Sequence, residues 1–482
     1  MARKKQPTVT AFQLTYERIL RIAVLLLAIA HMWLSFARHF FSPENNMSAS
    51  QTLQTMFKAE KWFAVALLAA FILYLSLSFT KFKDTAQRIR TAFRRTVSAE
   101  GVLLTCVFAY FLLCCYVHSR SYTNIFKISD IALFDTAVCV FVLFTLPIVL
   151  GPQKARKYLD VILHAVMLFS TAFIVWGLWN LFHLNIVTLP SGLQFGMSDQ
   201  FSLYPGVNQN IGAAIGAAMV LISMYMIASH GWIVKLIYAV AMVPHLYATL
   251  LTNSRGNYLS LLVAFPLFAF MLTWDCTRKK KTVNRVVIGG IAAAAAAAAI
   301  WALRRSVFWS FDQITHFSEY LQLELDGWDV ARDISIDPAR LRIWRSSINL
   351  MGSGAREFLF GSPLPLIPSR IESAMIKVYG SGSEYAHAHN VILQTGLVSG
   401  VPGMLLFLAF LIKMIFPCMK VGVGKYAKRY KGSYMLPIAV LSLLVSNMFE
   451  PFLLFYISVS ACLFFLFCGS IVAINKERKT EA

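Results

Sequence analysis

The strongest constraint on this chain is a succession of apolar runs of about 20 residues, the length an α-helix needs to cross a bilayer core. They fall at about 19–37, 62–79, 101–118, 131–150, 159–182, 211–228, 234–252, 256–274, 287–303, 391–416, 434–449 and 452–474. Of the 482 residues 58% are hydrophobic and 14% charged, more apolar surface than a soluble protein can cover with polar residues. The expectation is an all-α integral membrane protein of about twelve transmembrane helices, not divided into soluble domains.

A net charge of +21 does not point to nucleic acid, because the charges sit in short blocks between the apolar runs. One alternate set of connections holds Lys81, Lys83, Arg88, Arg90, Arg94 and Arg95, then Lys154, Arg156 and Lys157. It continues through Arg278, Lys279, Lys280, Lys281 and Arg285, then Lys420, Lys425, Lys428, Arg429 and Lys431, and ends with Lys476, Arg478 and Lys479. The opposite short loops carry only Arg38, Lys58, Lys61, Arg120, Lys127 and Arg255. Lysine and arginine are retained on the cytoplasmic side, so both termini are expected there and the long polar interval 304–389 outside. The start Met1-Ala2-Arg3-Lys4-Lys5 precedes an apolar run that continues past Ala28-Ile29-Ala30 to Phe36, which reads as a retained signal anchor. The organisation is thus helices one to nine over 1–303, a large extracytoplasmic loop over 304–389, and three helices with a cytoplasmic tail over 390–482.

Of eight cysteines, Cys106, Cys114, Cys115, Cys139, Cys462 and Cys468 lie in apolar runs, and Cys276 and Cys418 in basic loops. With none in the polar interval and no C-x-x-C spacing, neither a disulfide framework nor a zinc signature is present. The alanine run Ala292 to Ala299 reads as a packing seam, since small side chains let helices approach closely in lipid.

Within the polar interval, Val307, Phe308, Phe311, Ile314, Phe317 and Leu321 recur every three or four residues, as in a helix lying at the interface. Asp337-Pro338 gives a cap and a first-turn proline for a second helix that ends near Gly352. On that helix Leu341, Trp344, Ile348 and Met351 share one face with Arg340, while Arg342 points away. Arg340 is therefore the arginine expected to turn toward the membrane body.

Three candidate sites lie at the outer ends of spans. In Asn253-Ser254-Arg255-Gly256, Ser254 can cap the inward-running helix, and Gly256 allows close approach. Arg255 beside the positive helix end reads either as a snorkelling interface residue or as part of a phosphate site. His389-Asn390, with Gln394 a turn later, starts the tenth span; His389 reads as structural or as a group that moves a proton or orients a substrate. His387 and His389 with Glu384 are a weak metal pattern. Asn208 and Asn210 precede the sixth span and serve either as caps or as donors and acceptors to sugar hydroxyls. Glu450, between the last two spans, is the one acid there, and pairs with an arginine or serves chemistry. Spans six, eight, ten and twelve all run inward, so if they converge their N-termini, Arg255 and Arg340 surround one anion-binding cavity.

Taken in order, Asn208 and Asn210, Ser254-Arg255-Gly256, Arg340-x-x-x-Trp344, and His389-Asn390 with Gln394 and Gly396 resemble the O-antigen ligase and polymerase family of bacterial membrane glycosyltransferases. The likeness covers roughly residues 200–450. It implies a multi-span transferase of the GT-C type that takes an undecaprenyl-diphosphate-linked glycan as donor, with no cofactor and no metal. It also implies that Arg255 and Arg340 grip the diphosphate and that His389 sits at the reacting centre, with Asn208, Asn210, Ser254, Trp344, Asn390, Gln394 and Glu450 around the substrate. One departure is Gly361 after Phe358-Leu359-Phe360, where the family often has a Pro-x-x-Gly-x-Gly turn; this bears on the acceptor more than on the donor. The expected reaction is inverting displacement by an acceptor hydroxyl on a glycan, lipid or cell-wall molecule, with His389 as base and Glu450 as second choice. A polymerase of lipid-linked repeats is the alternative within the class. A lipid-linked sugar transporter is the alternative outside it, though no internal repeat is visible.

Overall fold

The computed structural model describes residues 11–41, 51–79, 97–120, 138–188, 194–196, 209–252, 254–277, 279–316, 338–380, 387–423, 430–451, 453–454 and 458–481. Helices α1 (Ala11–Phe41) and α2 (Gln51–Phe79) pack as a pair, followed by α3 (Ala99–Ser119). Ser98 caps α3, its Oγ accepting from the Gly101 N–H at 3.0 Å. A π-helical stretch (Val138–Leu143) runs into the short α4 (Thr145–Leu150), and α5 (Pro152–Phe182) starts with a proline in its first turn. The short strands β1 (Ile186–Thr188) and β2 (Gln194–Gly196) pair antiparallel, Val187 opposite Phe195, so the all-α expectation meets one small hairpin. Then come α6 (Gln209–Ser229), α7 (Trp232–Leu251), α8 (Arg255–Cys276) and α9 (Thr282–Thr315). The extended polar region contributes α10 (Pro338–Met351), α11 (Ala355–Phe360), a 3₁₀ turn (Leu364–Leu366) and α12 (Ile367–Tyr379). The chain closes with α13 (Val391–Val423), α14 (Met435–Asn447) and α15 (Val459–Glu481).

Eight described helices are long and apolar enough to cross a membrane, and three shorter apolar helices cover Trp62–Ser76, Phe141–Leu150 and Met435–Asn447. The molecule is a multi-pass membrane protein, and the eight spans are those that length and composition mark among the described residues. At 1.5 Å rise per residue, the 13-residue α14 covers about 20 Å of a core roughly 30 Å thick, whereas α1 and α2, of 31 and 29 residues, are long enough to cross it. Helices α6 and α15 are almost wholly buried. In α6 the small residues Ala213, Ala214, Gly216, Ala217 and Ala218 let neighbours close in, and a Cβ on Gly216 would overlap Thr249. Around this centre the other helices turn apolar side chains outward, among them Leu168, Val240, Ile291 and Ile412, as a lipid-facing surface requires. Along Ala292–Ala299 the part-buried positions are 292, 293, 296 and 297, so one face of the run is the packing seam and the other is exposed.

Two local expectations are corrected. The ninth apolar run does not end near 303, because α9 continues unbroken to Thr315 and stops at His316 in the left-handed conformation (φ 51°). Val307, Phe311 and Ile314 are therefore its last turns rather than a separate helix at the interface. Phe311 is buried against Phe182, with ring centroids 5.7 Å apart; Phe317 and Leu321 lie outside the described residues. On α10 the buried side is Ile343, Ser346, Ser347 and Met351, with Arg340 at its edge, while Leu341 and Ile348 are exposed. Leu341 and Ile348, two of the four residues on the expected apolar face, are thus on the open side of the helix, while Trp344 and Met351 pack inward.

Candidate active site

The turn after α14 is where the predicted residues meet. Ser446 donates to Asn257 Oδ1, and the Asn257 amide donates to Ser254 Oγ and to the Asn210 carbonyl, both at 3.0 Å. That fully buried asparagine ties the starts of α6 and α8 to the end of α14. Asn390 Nδ2 donates to the Met448 carbonyl at 3.3 Å, which joins α13 to the same turn. Phe449 lies so close to α8 that a Cβ on Gly256 would stand 2.6 Å from its Cβ, so the close approach expected of Gly256 is realised against protein.

Glu450 is 2% exposed and faces three nitrogen-bearing side chains. Its Oε1 lies 3.2 Å from His389 Nδ1 and 3.4 Å from Arg340 Nη2, and its Oε2 lies 3.6 Å from His387 Nε2. Burial alone pushes the Glu450 carboxyl up, but the hydrogen-bonded His389, with His387 and Arg340, outweighs it and lowers the pKa below the usual value. Burial first, then His389, and more weakly Arg340, drive His387 down to about 3 against the pull of Glu450. At neutral pH the carboxylate is ionised and His387 is neutral. A carboxylate only accepts, so His389 Nδ1–H donates to it and Nε2 is the ring nitrogen not engaged by Glu450.

The histidine turn is held by its neighbours. Asn390 Oδ1 accepts from the N–H groups of Ile392 (2.9 Å) and Leu393 (3.1 Å), capping α13, and Gln394 Oε1 accepts from the Ala388 N–H at 2.9 Å. Asn390 and Gln394, expected beside the substrate, are thus engaged in fixing the turn. His389 itself sits at φ 48°, a conformation uncommon for a side chain larger than glycine. Ser254 occupies the cap position of α8, but its hydroxyl takes the Asn257 amide instead of a backbone N–H, which corrects the capping expectation. Arg255 stands at the first position of α8, part-exposed, one residue before the Gly256–Phe449 contact. Trp344, one turn after Arg340 on α10, is part-buried, and its indole N–H has no acceptor among the described residues. Asn210 lies in the first turn of α6, and Asn208 lies outside the described residues.

His387, His389 and Glu450 offer ligand atoms within 4.8 Å of one another, near enough to hold a metal ion. The fit is poor, because the Arg340 guanidinium occupies the same carboxylate oxygen as His389 and would oppose a second cation. Glu384, named in the weak metal pattern, lies outside the described residues. Sequence reasoning passed over Asn257, whose signal was a buried amide in the first turn of a span. It also placed His387 only in the metal pattern, with no sign that it packs edge-on to His389 with ring centroids 4.2 Å apart.

A search of curated proteins finds no match to the chain. Residues 237–408 match the family model described as O-Antigen ligase, a stretch from α7 into α13 that takes in Arg255, Arg340 and His389 and ends before Glu450. Over those residues the chain is similar to O-antigen ligases, and its long apolar helices make it a multi-pass membrane protein.

Proposed function

We propose that the protein is a glycosyltransferase that moves a glycan from an undecaprenyl-diphosphate-linked donor to an acceptor hydroxyl, in the manner of an O-antigen ligase. The observation that carries this reading is the buried Glu450 engaging Arg340, His387 and His389 at once, beside the arginine-bearing start of α8. In this reading the acceptor oxygen attacks the anomeric carbon while the bond to the phosphate oxygen breaks, with inversion. The acceptor proton passes to His389 Nε2, whose tautomer and orientation Glu450 sets. Arg255, at the positive end of α8, and Arg340 neutralise the departing diphosphate. The Trp344 N–H, without an acceptor among the described residues, is a further donor toward the substrate, and Asn210 and Ser254 are assigned to the sugar side. The distribution of Lys and Arg supports both termini inside and the reaction outside, and the likeness to O-antigen ligases implies a GT-C-type arrangement of about twelve spans in a bacterial cytoplasmic membrane.

The test is release of undecaprenyl diphosphate by purified protein from a lipid-linked oligosaccharide, with acceptor present and EDTA in the buffer. Wild type is expected to turn over at an unchanged rate with the chelator, and Arg255→Ala and Arg340→Ala to lose about 100- to 1,000-fold each. Full activity in either variant sinks the proposal. Activity lost to EDTA and restored by a divalent ion would instead assign His387, His389 and Glu450 to a metal. Whether the glycan ends on a new acceptor or on a longer lipid-linked chain separates ligase from polymerase.

A further inference from the structure

At the end of the helix bundle opposite Glu450 lies a small cleft that opens to solvent. Helix α6 runs from the Asn257 contact at one end to this cleft at the other, 21 residues or about 30 Å away. Among the described residues two cations line it, Arg156 in the first turns of α5 and Lys431 in the turn before α14, with Tyr225, Tyr430, Ser433 and Ser470 and no carboxylate. Each cation is steered by a backbone carbonyl at the end of α6, Arg156 Nη2 by Ser229 at 3.0 Å and Lys431 Nζ by His230 at 3.4 Å. Asp160, outside the lining, is engaged by the Tyr225 hydroxyl at 3.3 Å and His230 Nε2 at 3.4 Å.

Two helix N-termini converge here, those of α5 and α14, and neither carries a side-chain cap or an acidic residue in its first turn. Both add positive partial charge to the cleft. The Ser433 hydroxyl is buried (3% exposed), lines the cleft and has no hydrogen-bond partner among the described residues. A buried donor left without a partner is costly unless a ligand completes it. The turn that presents it is fixed, since Gly432 (φ 78°) packs so tightly on Ser229 that a Cβ there would stand 2.8 Å from the Ser229 Cβ. Trp232, 74% exposed, begins α7 two residues after the His230 carbonyl that steers Lys431.

We propose that this cleft binds a phosphate group through Arg156, Lys431 and the Ser433 hydroxyl, the phosphate being that of an anionic phospholipid headgroup or one free in solution. A diester or monoester oxygen accepts from all three and lies on two helix dipoles, which a zwitterionic headgroup with its own ammonium uses less well. This reading is independent of glycan transfer at the far end of the bundle.

The experiment is thermal unfolding and native mass spectrometry of the detergent-solubilised full chain with phosphatidylglycerol, with phosphatidylcholine and with inorganic phosphate, for wild type and for Arg156→Gln, Lys431→Gln and Ser433→Ala. Phosphatidylglycerol is expected to stay bound and raise the melting temperature where phosphatidylcholine does not, with affinity about tenfold lower in each variant. Stabilisation by inorganic phosphate alone, lost in the same variants, supports the site and assigns it to free phosphate. Ser433→Ala is decisive where Arg156→Gln fails to fold. Its hydroxyl is unpartnered, so the unliganded melting temperature is expected to hold while the lipid-induced rise shrinks. Equal response to the two lipids and none to phosphate, or a preference unchanged in Lys431→Gln and Ser433→Ala, overturns the proposal.

Discussion

At the scale of single residues, the site turns on one carboxylate. Glu450 accepts from Arg340 and His389 on the same oxygen, so its charge rather than its shape holds the group together. Glu450→Gln keeps the shape, removes the charge and puts an amide where two donors converge. It is expected to lower transfer by about 100-fold or more, read as undecaprenyl diphosphate release. A variant within twofold of wild type would show that His389 needs no anionic partner. The same cluster makes stability depend on pH. His387 titrates near 3 when folded against an ordinary 6.5, so between those values the unfolded chain binds more protons. Stability is then full above about pH 6.5 and falls as pH drops toward 3; the lowered Glu450 pKa acts in the same direction, below its ordinary value. The melting temperature of His387→Gln is expected to fall less than that of wild type between pH 7 and pH 4.

At the scale of elements, the outer region is anchored through a break in α13. Gly400 has φ 70° inside the helix, and the interruption frees the Leu397 carbonyl, which accepts from the Ser362 N–H at 2.6 Å. Gly361, at φ 71° after α11, packs on the same break, and a Cβ on Gly400 would stand 2.3 Å from the Leu359 carbonyl oxygen. After Phe358-Leu359-Phe360, this packing stands in place of the turn that the family resemblance led one to expect. Gly400→Ala meets both a positive φ and a backbone clash, so a loss of roughly 2–4 kcal/mol is expected in chemical unfolding. Gly290→Ala, where a Cβ meets nothing within 4 Å, serves as the neutral control. The α10 helix was legible from Pro338 onward because proline and periodicity mark its ends and pattern. Its buried side was not, because a helical wheel ranks faces by hydropathy and cannot tell lipid from protein.

At the scale of the whole molecule, the charge pattern sets an orientation that labelling can check. In a cysteine-free background, Ser353→Cys beside α10 and Lys154→Cys at the start of α5 are both exposed positions. A membrane-impermeant maleimide added to intact cells is expected to label the first and to reach the second only after permeabilisation. The reverse pattern would invert the topology and place the arginine and histidine cluster in the cytoplasm. The sequence by itself determined that the chain is helical and membrane-embedded and that its cations gather between alternate helices, and it singled out Arg255, Arg340, His389 and Glu450 near the ends of apolar runs. Those properties follow from local composition and period. Only the tertiary structure decided that the stretch from Met448 to Pro451 is the hub, that Asn257 binds three helix ends together, and that Asn390 and Gln394 brace the histidine turn. The hub rests on contacts between residues distant in the chain, such as Asn257 to Ser446 and His389 to Glu450, 189 and 61 residues apart. Helix packing sets such contacts, and no local pattern in the chain encodes them.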